Sequence, residues 1–535
     1  MTATIQTILL LLAVLVVVAV LARRLNIAAS ILLVVAGIAL ALVPGLPRIA
    51  LAPELVLFGI LPPLIYSAGV AMSWREFKFN LRPIALLAFG LVIFSAAAVA
   101  VAVHYLLGMP LAVGFVLGAI VSPTDAVAPL AVVRRLGLPR RLIVVLEGEG
   151  LANDATALIL YRFAVAAVGT GLFSFSTAIS EFALIVIGEI AYGIAVGWLS
   201  LRLRRWADDP RVEITLSLMT PYVAFLLPAH LGGSGVLAAV AAGLYVSWNG
   251  PLLIPAATRL QGIFFWDLLI YLLEGLLFLV TGLQLRILIE RTDPVLLHQL
   301  ALAVPLVVAV VLLARFIWVY PAAYLPRWLS ASLARRDPVP TWQFLFMLGF
   351  TGVRGVVSLA AALALPLTTS AGAPFPERDL ILFVAFGVIV VTLIGEGVVL
   401  APVVRWLALP RDADEERRRE NAAELKARLQ TLKVAEGELE RLATDGSTET
   451  SVLELLRSRQ ANRARQVPKD ADGKQALAAA LALRAELINA ERAYIYRLLQ
   501  EGQITDEARR RIERELDLEE ATITLKREDE DDPPL

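Results

Sequence analysis

Residues 146–160, LEGEGLANDATALIL, place Glu149, Asn153 and Asp154 inside a long apolar run. A carboxylate in such a setting either pairs with a buried cation or, left without one, exchanges a proton or binds a metal cation. Two further apolar stretches carry polar groups between residues that weaken helices. VSPTDAVAP (121–129) holds Thr124 and Asp125 between Pro123 and Pro129, and GFTGVRGVVS (349–358) holds Arg354 among Gly349, Gly352 and Gly355. Three histidines, His104, His230 and His298, stand far apart and there is no cysteine, so the pattern offers no transition-metal site and no thiol chemistry.

The elements that must position these groups lie in lipid. The chain has 535 residues, 58% hydrophobic and only 18% charged, with a mean hydropathy of +0.73, too apolar for a soluble globule and expected of an all-α polytopic membrane protein. Thirteen apolar segments of about 20 residues are predicted as spans: 4–22, 27–44, 54–72, 82–107, 110–133, 141–168, 178–201, 211–229, 231–248, 263–286, 296–325, 341–365 and 379–407. The first has no basic residues ahead of it, which reads as a span rather than a secretory signal. Arg23 and Arg24, WREFKFNLR, RRLGLPRR, LRLRRWADDPR and RWLSASLARR fall in alternate loops, which sets the N-terminus outside and the C-terminal end in the cytoplasm. Beyond residue 410 the character changes: residues 411–535 hold 23 Lys and Arg against 29 Asp and Glu, so a transmembrane domain (1–410) and a charged, helical cytoplasmic tail (411–535) are expected. The tail is predicted to break near DGST, VPKDADGK and EGQIT and to end in an unstructured acidic segment, with no nucleotide-binding loop or metal signature.

Thirteen spans divide as six, one and six, and the two sets of six then run in opposite orientation, as in an inverted repeat. The fifth span of each set is the one interrupted, by VSPTDAVAP and by GFTGVRGVVS; paired broken helices of this kind point to a transporter's binding site. Asp154 and Arg354 each lie 13 residues into their spans, about 20 Å deep, near the middle of a hydrocarbon core about 30 Å thick. Asp125 reaches the same layer from the other side. Glu149 and Asn153 share a helix face, and Asp154 is turned about 100° from it. The expectation is that Glu149 pairs with Arg354, Asn153 steadies the pair, and Asp154 is left as the exchangeable carboxylate. Glu147, on the face of Asp154, is either a cytoplasmic entrance funnel or a partner for Arg140 or Arg141. Glu274, Arg315, Glu189 and Glu396 also fall within spans; pairing among them is the default, with partners not readable from spacing.

Two other classes are weighed. A cation channel would need a continuous polar path, whereas polar residues here concentrate in one layer. An intramembrane serine protease is suggested by GGSG (232–235), but no histidine stands well inside a later span to activate Ser234.

FGILPPLIYSAG (58–69), SPTDAVAPLAV (122–132), LEGEGLANDATALILY (146–161) and GFTGVRGVVSLA (349–360), in this order, resemble the bacterial sodium/proton exchangers of the monovalent cation/proton antiporter-1 family, NhaP/NHE-like. The segment ERAYIYRLLQEGQITDEARRRIERELDLEE (491–520) also resembles the short tails of bacterial members. The resemblance implies two inverted six-helix repeats with crossed unwound helices, a dimerisation and a core subdomain, and a homodimer in the inner membrane, with the bilayer, monovalent cations and protons as partners, no cofactor and no nucleic acid. By the same resemblance Asp154 and Asn153 form the ion-binding Asn-Asp motif, Glu149 and Arg354 the buried ion pair, and Thr124 and Asp125 line the unwound segment, Asp154 and Thr124 holding Na+. A single aspartate implies electroneutral one-for-one exchange of Na+, or of Li+ or K+, for H+ by alternating access. Gly150 stands where many relatives have serine, and Ala126 where many have proline.

Overall fold

In the computed structural model the described residues are 2–531 apart from 26, 45–50, 126–128, 131–135, 137, 172–173, 291–293, 370–371, 408–409, 445–448, 466 and 468–470. Among them all regular structure is helical, with one isolated bridge between Thr368 and Pro374. The chain divides into two compact units, Met1–Leu409 and Pro410–Leu535.

The first unit runs through α1 (Thr2–Leu25), α2 (Ala29–Ala41), α3 (Leu55–Ala71), α4 (Leu81–Leu107), α5 (Leu111–Val121), α6 (Arg140–Thr170), α7 (Phe175–Ala207), α8 (Pro210–His230), α9 (Val236–Leu253), α10 (Ala256–Glu290), α11 (Pro294–Leu329), α12 (Trp342–Phe350), α13 (Val356–Leu363) and α14 (Arg378–Leu407). Nine of these helices are long and apolar enough to cross a membrane among the described residues. Of the other predicted segments, 27–44, 54–72 and 110–133 appear as the shorter apolar helices α2, α3 and α5, and 341–365 appears as α12 and α13. Leu9, Leu184 and Leu252 are 60%, 73% and 90% exposed, an outward apolar surface that only a lipid solvent makes stable.

Local chemistry ends and bends these helices. Gly108 and Gly171 take positive φ and close α4 and α6, a conformation costly for any residue with a Cβ. Asp209 caps α8, its Oδ1 accepting from the Arg211 and Val212 amides at 2.9 and 3.1 Å. Within α3 and α4, Leu55–Ile60 and Leu86–Leu91 are wound as π-helix. Side chains of neighbouring helices bond to carbonyls of both: Tyr222 Oη donates to Gly59 O at 2.9 Å and Trp318 Nε1 to Leu86 O at 2.9 Å. Packing elsewhere relies on small residues. A Cβ at Gly37 on α2 would overlap the Leu279 carbonyl of α10, and one at Gly282 on α10 would overlap that of Val34, so the two backbones touch.

The second unit comprises α15 (Pro410–Thr444), α16 (Thr450–Arg465), α17 (Ala471–Gln500) and α18 (Asp506–Asp531). Leu481, Ile488 and Ile495 of α17 pack with Leu516 and Ile523 of α18, and Arg484 grips Glu519 at 2.6 and 2.7 Å alongside. Gly502, at positive φ, turns the chain at the expected EGQIT break. DGST and part of VPKDADGK lie outside the described residues. The acidic end differs from expectation: helix continues to Asp531, as runs of Glu and Lys with good helix propensity allow.

Candidate functional site

Both interrupted segments are unwound, and they meet. α5 stops at Val121 and residues 123–125 are non-helical; α12 stops at Phe350 and residues 351–355 are non-helical before α13 begins. The Asp125 amide donates to Val353 O at 2.7 Å, tying the two strands of unwound backbone together. Breaking a helix in lipid frees amides and carbonyls that need partners. Arg354 Nε donates to Val121 O at 3.0 Å, and Arg315 Nε, from α11, to Leu348 O at 2.9 Å. Each arginine thus sits at the negative, C-terminal end of one half-helix. On the other side the Gly352 amide donates to Glu396 Oε2 at 2.7 Å and the Arg354 amide to Thr392 Oγ1 at 3.1 Å, both acceptors coming from α14. The glycines are required by space: a Cβ at Gly355 would overlap the Asp125 side chain.

α6 lies against this crossing. Its Glu149, 2% exposed, is held by both terminal nitrogens of Arg315, with Nη2 to Oε2 at 2.8 Å and Nη1 on Oε1. Thr124 Oγ1 donates to Glu149 Oε1 at 2.7 Å, and Asn153 Nδ2 donates to Thr124 O and Oγ1 at 2.8 and 3.0 Å. Glu149 and Asn153, one turn apart, therefore clamp the unwound segment after α5. This corrects the pairing expected from sequence. Glu149 is bound by Arg315, not by Arg354, because Arg354 is engaged by Val121 O and, through Nη1, by Gly352 O.

Asp154 is only partly buried and, among the described residues, forms no hydrogen bond or ion pair; its charged neighbour is Asp125. Asn153 is fully buried, and its Oδ1 has no partner. An acidic group and a bare amide oxygen from adjacent residues can accept a hard cation or a proton but offer no nucleophile. No group of three or more His, Cys, Asp or Glu suited to a resident metal occurs among the described residues.

The sodium/hydrogen exchanger transmembrane family model matches residues 10–406. The chain belongs to the sodium/hydrogen exchanger family. It is a multi-pass membrane protein and a cation/proton antiporter, a transporter rather than an enzyme. It is 35% identical over 517 residues to an uncharacterised Na+/H+ exchanger of Mycobacterium tuberculosis, covering 94% of this chain and 93% of that one. It is 34% identical over 379 residues to the sodium, potassium, lithium and rubidium/H+ antiporter of Bacillus subtilis, covering 68% and 56%. The fold is that of the sodium proton antiporter MjNhaP1 of Methanocaldococcus jannaschii, with a TM-score of 0.56 at 19% identity, covering 76% of this chain and 99% of that one.

Among the described residues Glu189, Glu274 and Glu396 form no ion pair with Arg315, contrary to the default of pairing among these four. Glu189 of α7 caps α9 instead: its carboxylate accepts from the amides of Ser234 (2.5 Å), Gly235 (2.9 Å) and Leu237 (3.1 Å) and from the Ser234 hydroxyl. An anion at a helix N-terminus is stabilised by the free amides and the dipole. It also explains GGSG, because a Cβ at Gly233 would strike the Glu189 carboxylate, and it leaves Ser234 as a ligand of that cap. Glu396 holds Gly352, and Glu274 has Asp125 as its charged neighbour. Of the expected partners of Glu147, Arg140 binds Glu76 at 2.6 Å and Arg141 binds Asp337 at 2.8 Å, while Glu147 is itself engaged. The residues that sequence reasoning left unassigned are Arg315, Thr392 and Glu396. Their signal was an ionisable or hydroxyl group inside an apolar run, without any indication of what it faced.

Proposed function

We propose that the exchanger swaps one Na+ for one H+ at a single site in which Asp154 binds either ion but never both. The observation that carries this reading is the isolation of Asp154: its neighbour Glu149 is neutralised by Arg315, while Asp154, whose charged neighbour is Asp125 of the unwound segment, has no counter-ion among the described residues. Asn153 Oδ1 supplies a second oxygen, and the remaining lone pair of the Thr124 hydroxyl a third, with Asp125 shaping the segment that presents it. Gly150 contributes no hydroxyl, so a water or carbonyl takes the place of the serine of other relatives. Glu147, two turns toward the Arg140 end on the same face, acts as the entrance funnel.

Competition then gives coupling, since an empty site leaves a bare carboxylate in low dielectric and disfavours the crossing state. One charge in for one charge out makes the cycle blind to membrane potential, a term of about 2.3 kcal/mol per charge at 100 mV. The thirteen spans form two inverted repeats of six around the crossing, the protein is a homodimer in the cell's inner membrane, and its N-terminus is outside with residues 411–535 cytoplasmic. Support for that orientation comes from Arg205, Arg327 and Arg405, in the last turns of α7, α11 and α14 at the ends assigned to the cytoplasm, with the exposed Trp206, Trp328 and Trp406 marking the same interface. A K+/H+ reading of the same site is favoured by one finding, the similarity to the sodium, potassium, lithium and rubidium/H+ antiporter of Bacillus subtilis.

The test is exchange in proteoliposomes with Na+, Li+ and K+, with and without a valinomycin-imposed potential. Na+-driven proton movement indifferent to the potential and absent from Asp154→Asn is the expected result. A clear voltage dependence removes the stoichiometry, and exchange surviving in Asp154→Asn removes the site.

A further inference from the structure

Away from the ion site, three arginines converge on one carboxylate at the ends of the helices that build that site. Arg82, in the first turn of α4, donates through Nη2 to Asp337 Oδ2 at 2.7 Å; Arg141, in the first turn of α6, through Nη2 to Oδ1 at 2.8 Å; and Arg327, in the last turn of α11, through Nη2 to Oδ2 at 2.8 Å. Arg327 Nε also donates to Asp337 O at 2.9 Å, and Arg141 Nε to Asn80 Oδ1 at 3.1 Å. Arginine stays charged, so three cations on one anion leave the cluster at +2. Arg327 is 6% exposed, which makes that surplus expensive to leave uncompensated.

Beside the cluster lies a cavity of about 40 Å³ lined by Arg82, Arg141, Arg327, Ala322, Phe344 and Leu345. At about 10–15 Å³ for each water-sized occupant, it holds roughly three such atoms. Arg82 Nη1 is buried there without a partner. Surplus positive charge, forked donors and an orphaned guanidinium N–H define an oxyanion site, and a tetrahedral phosphate matches arginine forks better than a spherical halide.

We propose that this cluster binds a phosphate group, either free phosphate or the headgroup phosphate of an anionic phospholipid. Arg82, Arg141 and Arg327 all lie at span ends, at the depth where headgroups and bulk solvent both reach. An occupant would fasten together the ends of α4, α6 and α11, and so brace the helices that carry Glu149, Asp154 and Arg315. Binding does not depend on which ion the exchanger carries.

The experiment uses the full chain in nanodiscs and reads the melting temperature in two arms. One arm titrates inorganic phosphate against chloride at matched ionic strength in phosphatidylcholine discs. The other replaces about a third of the phosphatidylcholine by phosphatidylglycerol with no phosphate added. A saturable rise in the first arm identifies free phosphate, and a rise in the second alone identifies the headgroup. In either case Arg82→Gln should weaken the response about tenfold, the loss of one charge-assisted contact. Ala322→Leu, which fills the cavity and keeps every arginine, should abolish it, whereas the exposed Arg335→Gln should leave it unchanged. No response in either arm, or an undiminished response in both Arg82→Gln and Ala322→Leu, overturns the proposal.

Discussion

Replacing Arg315 by methionine removes the cation that grips Glu149 and leaves a carboxylate 2% exposed without that partner. Breaking a buried pair from one side costs about 3–5 kcal/mol, because the remaining charge keeps its full desolvation penalty. A further ~1 kcal/mol goes with the hydrogen bond from Arg315 Nε to Leu348 O. Neutralising the orphan in the double variant Glu149→Gln/Arg315→Met should recover most of the first term and none of the second. The double variant should then lie only about 1–2 kcal/mol below the parent, with the glutamine still able to accept from Thr124 Oγ1. The same cycle built on Arg354→Met should show little recovery, since Arg354 serves Val121 O and Gly352 O and forms no ion pair with Glu149. Unfolding free energies from detergent titration in mixed micelles give both coupling terms. A Glu149–Arg354 coupling equal to or larger than the Glu149–Arg315 coupling would refute the assignment and restore the pairing that spacing alone suggests.

Other expectations follow from single contacts. Gly355→Ala should cut exchange at least tenfold with little loss of protein, as the new Cβ drives the Asp125 side chain out of its place beside the crossing; initial rates in vesicles measure it. Glu189→Leu strips the cap from α9 and leaves three amides and a hydroxyl without their acceptor, so the melting temperature should fall well below that of Glu189→Gln, which retains one acceptor. At Asp337, burial pushes the carboxyl up, but the hydrogen bond and charge of Arg141 and the charges of Arg327 and Arg82 outweigh it and hold the group below its ordinary 3.8. A depressed folded value gives stability that is complete above the unfolded value and is lost only as pH falls through the folded one. The stability gap between the parent and Asp337→Asn should therefore be constant from pH 6 to 8 and narrow only below about pH 4; a gap that changes near neutrality contradicts the cluster.

Much of the architecture was legible because lipid leaves few options. A long apolar run in a membrane must be helical, and the positions of proline and glycine mark where helix fails, so both unwound segments could be read from VSPTDAVAP and GFTGVRGVVS. Helix periodicity likewise separated Asp154 from Glu149 and Asn153, since a turn of about 100° per residue is fixed by the backbone. Depth within a span followed from counting residues. These are properties of one segment at a time, and one segment is what a sequence displays.

Pairing between segments was beyond it. Arg315 and Arg354 are each an arginine inside an apolar helix, and nothing local says which one Glu149 meets. That choice depends on how α11 crosses α6 and on which freed carbonyl each guanidinium satisfies. The cap of Glu189 on α9 joins residues 45 apart, and the three arginines around Asp337 arrive from α4, α6 and α11. By itself the sequence determined the solvent, the helices and their breaks. Tertiary structure alone decided which charges are neutralised, because Coulomb energy in low dielectric depends on distances of a few ångströms that only packing sets.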